Sequence, residues 1–182
     1  MRRARAALLC AAMLAGCGYN QMVAKRESID SAWAQVENQL QRRNDLIPNL
    51  VEVTKGYATH EREIFEQIAN ARARLIAGGS RDQKIGAAND LTGALGRLLA
   101  IAESYPDLKA NQNFLGLQEE LTSTENKIAF ARQAYNDAVM FYNNKREVFP
   151  NSFIANMYNF APAAPWEVDA PEAKKAVKVS FS

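Results

Sequence analysis

The most constraining feature of this sequence is a long line of apolar residues, three or four apart, that a charged residue and a proline interrupt. The line comprises Ile29, Trp33, Val36, Leu40, Ile47 and Leu50. This spacing places one apolar stripe along a helix, whereas a strand would alternate apolar and polar residues. Arg43 falls on the stripe, and Pro48 lacks the N–H that would bond to the carbonyl of Asn44. We therefore predict a long first helix with a kink at Pro48.

The rest of the chain also favours helices. Its 182 residues suffice for one domain with its own core, and its middle is poor in Gly and Pro. Thr59 is a candidate N-cap, Ser80 and Gln83 form a capping-box pattern, and Pro106 suits a first helical position. The predicted helices cover about residues 20–56, 60–77, 81–105 and 106–148. We expect an all-α, antiparallel four-helix bundle with long first and last helices.

The last predicted helix carries its own apolar stripe with polar interruptions. The stripe comprises Leu108, Leu115, Leu121, Ile128, Tyr135, Val139, Tyr142 and Phe149, and the interruptions are Gln118, Glu125 and Arg132. Residues 151–160 suit one more short amphipathic turn after Pro150. From Pro162 onward Pro, Ala and Lys dominate, so we assign residues 161–182 to a flexible tail.

The N-terminus has the pattern of an export signal. Arg2, Arg3 and Arg5 precede a short apolar run that ends in Leu14-Ala15-Gly16-Cys17. This ending resembles the lipobox of bacterial lipoproteins, which implies removal of residues 1–16 and lipidation of Cys17. A truncated transmembrane anchor is the alternative. Because an aspartate after the cysteine is the usual inner-membrane retention signal, Gly18 favours the outer membrane.

Charge and residue types exclude several functions. Without its first three arginines the chain has 19 basic and 20 acidic residues, which gives no electrostatic reason to bind nucleic acid. His60 is the sole histidine, and both cysteines are N-terminal, so we expect no metal site. The sequence has no Gly-rich phosphate loop and no Ser-His-Asp set. We therefore expect no enzymatic activity and no cofactor.

Polar residues on the apolar stripes are the candidate site. Helices running in opposite directions could bring Arg43 to Glu125, with Asn126, Tyr135 and Asn136 adjacent and Arg132 one heptad further. One interpretation is a buried polar layer that fixes helix register. The other is a polar cleft for a peptide or partner helix. The candidate residues are Arg42, Arg43, Asp45, Asn49, Glu125, Asn126, Arg132, Tyr135 and Asn136.

Several short motifs, in this order, resemble the LemA family of bacterial envelope proteins. They include Trp33-x-x-Val36-Glu37, Arg42-Arg43-x-Asp45-Leu46-Ile47-Pro48-Asn49-Leu50-Val51, Lys55-Gly56-Tyr57-Ala58, Tyr105-Pro106-Asp107-Leu108, Arg132-x-x-Tyr135-Asn136 and Phe149-Pro150. The resemblance covers about residues 19–160 and implies a helical bundle outside the cytoplasm on an N-terminal membrane anchor. We accordingly divide the chain into a signal peptide (1–16), a LemA-like bundle (17–160) and the tail (161–182).

Two functions are compatible with this sequence. The first is a membrane-anchored scaffold or accessory module that binds another envelope protein. Exposed apolar residues on 153–160 would favour it. The second is a binding module for a peptide or small ligand near the Arg43–Pro48 kink. A concave pocket lined by Arg42, Asp45, Asn49 and Asn136 would favour that one.

Overall fold

The computed structural model describes the backbone of residues 2–58 and 60–167, and their side chains from Gly18 onward. The described part of the chain is all-α, as predicted, with no strand. Its helices are α1 (Arg2–Lys55), α2 (Arg62–Ile76), α3 (Arg81–Ala102), α4 (Pro106–Lys109), α5 (Gln112–Glu147) and α6 (Asn151–Met157).

Helix α1 carries the predicted stripe but begins at Arg2, well before the start expected near Asn20. Its buried residues form two rows that each repeat every seven residues, as in a coiled coil. The rows are Met22, Ile29, Val36, Arg43 and Leu50, and Trp33, Leu40, Ile47 and Thr54. Pro48 lies inside this helix with its ring exposed to solvent. The kink at Pro48 stays a prediction.

The first of two compact units contains α1 up to Leu50, α5, α6 and the chain as far as Pro165. Among the contacts between α1 and α5, three show the relative direction of the helices. They are Lys25 Nζ to the Phe141 ring centroid at 5.6 Å, Trp33 to Tyr135 at 5.4 Å between ring centroids, and Arg43 Nη1 to Glu125 Oε1 at 2.8 Å. The α5 partner falls in number as the α1 residue rises, so these two helices run in opposite directions.

The predicted fourth helix is split in two, and the split changes which residues are buried. Helix α4 ends at Lys109 and α5 begins at Gln112. Phe114, seven residues before Leu121, is buried at 2% exposure, whereas Leu115 is 41% exposed, because the break lets Leu108 be buried in a different helical phase from α5. Placing Leu115 in the core was therefore wrong. Phe149 is also outside the core, at 83% exposure, since α5 ends before it.

The stripe of α5 then follows one heptad row from Phe114. Its members are Phe114, Leu121, Ile128, Tyr135 and Tyr142, and all are buried. Within the first unit this row packs against the buried rows of α1, as the contact of Tyr135 with Trp33 shows. Packing of this kind explains why every seventh residue of α5 is apolar or aromatic.

The second unit contains residues 51–111 and Trp166. Helix α3 begins with the predicted capping box, in which Ser80 and Gln83 each accept a backbone N–H of the other. Gly78 and Gly79 end the α2 region with φ of +79° and +120°, which glycine adopts without strain. Helix α2 begins at Arg62, later than the predicted cap at Thr59, a residue that lies outside the described part.

Helices α2 and α3 pack face to face in this unit. The buried side chains include Ile64, Phe65, Ile68 and Ala71 from α2 and Ala87, Ala88, Leu91, Ala94, Leu95 and Leu98 from α3. The small α3 alanines allow close approach of the two backbones. Exposed polar residues also join the two helices. Arg74 forms an ion pair with Asp90, and Arg97 donates a 3.0 Å hydrogen bond to Gln67. A single four-helix bundle that unites both units stays a prediction.

The first residues of the predicted tail are held in place. Tyr135 and Tyr142 donate to the carbonyls of Ala164 and Ala161, at 2.9 and 2.8 Å. The amide of Asn143 donates to the carbonyl of Ala163 and accepts from its N–H. Burial raises the pKa of Tyr142, an effect that Arg26 and Arg146 partly oppose, so its hydroxyl stays protonated at neutral pH. A flexible tail remains a prediction only for residues 168–182, which lie outside the described part.

Candidate interaction surfaces

The predicted meeting of Arg43 and Glu125 is confirmed. Arg43 Nη1 donates to Glu125 Oε1 at 2.8 Å across α1 and α5. The Arg43 side chain is 1% exposed, but that of Glu125 is 34% exposed. The pair therefore connects the core to the surface rather than forming the fully buried layer that we expected. An arginine at a heptad core position can make this contact because its long side chain packs in the core while its buried guanidinium reaches the partly exposed carboxylate.

The predicted cleft of Arg42, Asp45, Asn49 and Asn136 does not form. The first three residues are exposed on α1, and Asp45 accepts a 2.8 Å hydrogen bond from Gln41 on the same helix. Asn136 is half-buried on α5, beside the residue that contacts Trp33. Asn136 therefore lies near Trp33, which at 1.5 Å per residue is about 14 Å along α1 from Arg42. This offset follows from the register of α1 and α5, which the Arg43–Glu125 contact also shows.

The remaining predicted polar residues separate into different roles. Tyr135 is buried and holds the backbone at Ala164. Arg132 is half-buried. Asn126 is exposed and lines a groove, so it is the one member of the predicted set that borders a concave surface described here.

This groove consists of two adjoining depressions along α5. One, of about 460 Å³, is lined by residues that include Gln35, Asn38, Gln39, Ser123, Asn126 and Phe130. The other, of about 530 Å³, is lined by Leu115, Gln118, Glu119, Thr122, Ser123 and Asn126. The two depressions share Ser123 and Asn126, and we call them together the α5 groove. From Leu115 to Phe130 it extends about 22 Å along the helix.

The chemistry of the α5 groove suits a polypeptide. Amide and hydroxyl side chains line its middle and can both donate and accept hydrogen bonds. Phe130, 75% exposed, and Leu115, 41% exposed, supply apolar contacts at its two ends. From the sequence, Leu115 was expected in the core and Phe130 was not singled out. The heptad row from Phe114 would have placed both off the core, had the break before α5 been recognised.

A second exposed surface surrounds α6. Five large apolar side chains contribute to it: Val148, Phe149, Phe153, Met157 and Tyr158. Their exposures range from 56% for Tyr158 to 83% for Phe149. The opposite face of α6 is buried through Asn151, Ile154 and Ala155. We call the exposed side the α6 surface. The short predicted helix is thus confirmed, and its solvent face is apolar.

Other site types find no support in the described residues. There, no three His, Cys, Asp or Glu side chains lie close enough together to hold a metal ion. His60 is exposed at the turn before α2. Within that same part of the chain, no helix has an apolar stretch long enough to cross a bilayer.

Known proteins resemble this chain over most of its length. MamQ 2 of Paramagnetospirillum magneticum, a magnetosome protein, is 27% identical over 171 residues, which cover 80% of this chain and 63% of that protein. The magnetosome protein MamQ of Magnetospirillum gryphiswaldense is 26% identical, with 78% and 62% covered. Protein LemA of Metamycoplasma hominis is 23% identical, with 78% and 67% covered. The chain thus spans less than two thirds of the length of the MamQ proteins.

The family itself follows from a broader match. The profile of the LemA family matches residues 32–181. This range includes the heptad rows of α1 beyond Ala32, helices α2 to α6 and the segment held by Tyr135 and Tyr142. The chain therefore belongs to the LemA family.

Proposed function

We propose that this LemA-family protein is a membrane-anchored, non-enzymatic scaffold or accessory module that binds a segment of another envelope protein in the α5 groove. The observation that carries the proposal is the form of this groove. A trough about 22 Å long, open to solvent, matches the dimensions of a helix or extended peptide. A small metabolite is usually enclosed in a deeper, more apolar pocket.

Exposed apolar residues also favour an interaction protein over a small-ligand module. Exposed apolar residues on 153–160 were expected of a scaffold or accessory module, and Phe153, Met157 and Tyr158 are such residues. The four residues expected to line the cleft of the second function do not come together, since Asn136 lies at another level from Arg42, Asp45 and Asn49. Phe130 provides an exposed aromatic side chain of the kind enriched at protein interfaces, and Leu115 adds an apolar contact at the other end of the groove.

Anchoring is proposed through Cys17, with the folded domain outside the cytoplasm. Gly18 has a structural reason to be glycine, which bears on the choice of membrane. A Cβ at Gly18 would overlap Cδ1 of Ile154 and approach Oδ1 of Asn151 to 2.9 Å. Because a larger side chain here would displace Ile154 and Asn151, packing also favours glycine, which reduces its value as an outer-membrane signal.

We expect Cys17→Ser to remain an unprocessed precursor that takes up no labelled fatty acid. The thiol is the site of acylation, and serine cannot form the thioether that precedes cleavage. Metabolic labelling with a palmitate analogue and gel mobility give the measurement. Cys10→Ser is the matched control and should be processed normally. Normal labelling of Cys17→Ser would exclude the lipoprotein interpretation.

The groove is tested by crosslinking in intact cells followed by affinity purification. We expect Phe130→Ser to lose most of the crosslinked partner, because it removes the most exposed apolar contact of the α5 groove. Met140→Ser is the matched control, since Met140 is 48% exposed on the same helix outside the groove. Equal partner recovery with both variants would show that the groove does not bind the partner.

A further inference from the structure

We propose that the α6 surface lies on the bilayer that holds the N-terminal anchor, with Phe149, Phe153 and Met157 in the lipid headgroup region. This inference rests on the membrane anchoring proposed above. It adds a second point of membrane contact, which would fix the orientation of the first unit relative to the bilayer.

Helix α6 lies close to the proposed lipid anchor. Helix α6 packs directly on the start of the described domain, because Ile154 and Asn151 occupy the space beside Gly18. The Tyr19 ring lies 4.9 Å from that of Tyr158, measured between centroids. Gly18 is the residue after Cys17, and consecutive Cα atoms are about 3.8 Å apart. A membrane that holds acyl chains at Cys17 therefore lies within a few ångströms of α6.

The exposed face of the α6 region carries large apolar side chains. Phe153 and Met157 are one turn apart on α6, and Phe149 precedes them by another four residues. They are 65%, 57% and 83% exposed. A soluble protein usually turns such side chains inward, and a cluster of them marks an interaction site. Helices that lie at a membrane interface bury an apolar face of this kind about 5–10 Å deep.

The aromatic residues at the edge of the surface also suit an interface. Tyr19 and Tyr158 are partly exposed and in edge contact. Tyrosine is enriched at headgroup depth because its ring is apolar and its hydroxyl is hydrated. The two tyrosines thus mark the level at which the domain would meet the headgroups.

Charge near this end agrees with a bilayer partner. The stretches 18–28 and 140–160 carry Lys25, Arg26, Lys145 and Arg146 against Glu27 and Glu147. Four basic and two acidic residues give a net positive charge, although the chain without its first three arginines is close to neutral. Such a charge is attracted to anionic lipid headgroups.

The test places an indole on the α6 surface of the full-length, lipidated protein in vesicles of phosphatidylethanolamine and phosphatidylglycerol. We expect Phe153→Trp to emit at shorter wavelength than in detergent-free buffer and to lose most of its added emission when the lipids carry shallow bromine labels. Phe130→Trp is the matched control. It lies about 25 Å along α5 from its C-terminal end and should keep its emission.

The native indoles do not obscure this signal. Trp33 and Trp166 are only 5% and 4% exposed, and the spectrum of the parent protein is subtracted. Because Phe153 is at the surface, its replacement should leave the melting temperature unchanged, and Met157→Trp provides a second reporter on the same face.

The outcomes separate the two proposals. Failure of the parent protein to float with the vesicles would overturn the anchoring, and the α6 contact with it. Flotation with unquenched emission from both α6 reporters would overturn the α6 contact alone. A blue-shifted but unquenched Phe153→Trp would show that protein, either a second copy or another chain, covers this surface instead of lipid.

Discussion

Replacing Phe114 with alanine is expected to lower the free energy of unfolding by about 3–5 kcal/mol. The side chain is 2% exposed and starts the heptad row of α5. Its removal both loses buried apolar area and leaves a cavity between packed helices. Urea unfolding of the purified protein, followed by far-ultraviolet circular dichroism, measures the change.

The neighbouring residue provides a sharp control. Leu115→Ala should cost less than about 1 kcal/mol, because Leu115 is 41% exposed at the end of the α5 groove. A helix continuous from Leu108, in the phase of that residue, would reverse this order, since it would turn Leu115 inward. A larger loss for Leu115→Ala than for Phe114→Ala would therefore show that the break at residues 110–111 is wrong.

The second large effect concerns the pair of Arg43 and Glu125. We expect Glu125→Leu to cost about 3 kcal/mol, the low end of the range for breaking a buried ion pair. It removes the carboxylate that lies 2.8 Å from a nearly inaccessible guanidinium. Arg43→Leu should cost less, because the remaining Glu125 is 34% exposed and can be hydrated.

The double variant separates packing from function. With both residues changed to leucine, much of the loss should be recovered, since apolar replacement of a buried pair is often neutral or better. A double-mutant cycle from urea unfolding gives the coupling energy directly. Additive single losses would contradict the contact itself. A stable double variant that fails to complement a deletion strain would instead assign the pair a functional role.

Arg43 and Glu125 could be paired from the sequence because both residues interrupt apolar stripes. In helices that run in opposite directions, such interruptions tend to meet, since each is best accommodated by a partner of opposite charge. The predicted cleft of Arg42, Asp45, Asn49 and Asn136 had no such basis. Exposed polar residues carry no constraint on register, so their spacing along the chain did not reveal their level in the structure.

The functional surfaces were harder to anticipate for a related reason. The α5 groove depends on the phase of α5, and the break after Lys109 sets that phase. An error of one residue in phase turns a helix by about 100°, which exchanges Phe114 for Leu115 in the core. The α6 surface likewise depends on which side of a short helix is covered, and α6 is covered on the side of Gly18.

The sequence by itself determined the all-α class, the apolar stripe of α1, the capping box of α3 and the end of α2. Each of these follows from residues that are close together along the chain, through periodicity or local hydrogen bonding. Only the tertiary structure decided the exposure of Phe130 and Phe153 and the docking of residues 161–165 on Tyr135 and Tyr142. These features depend on contacts between residues far apart in sequence, which local patterns do not encode.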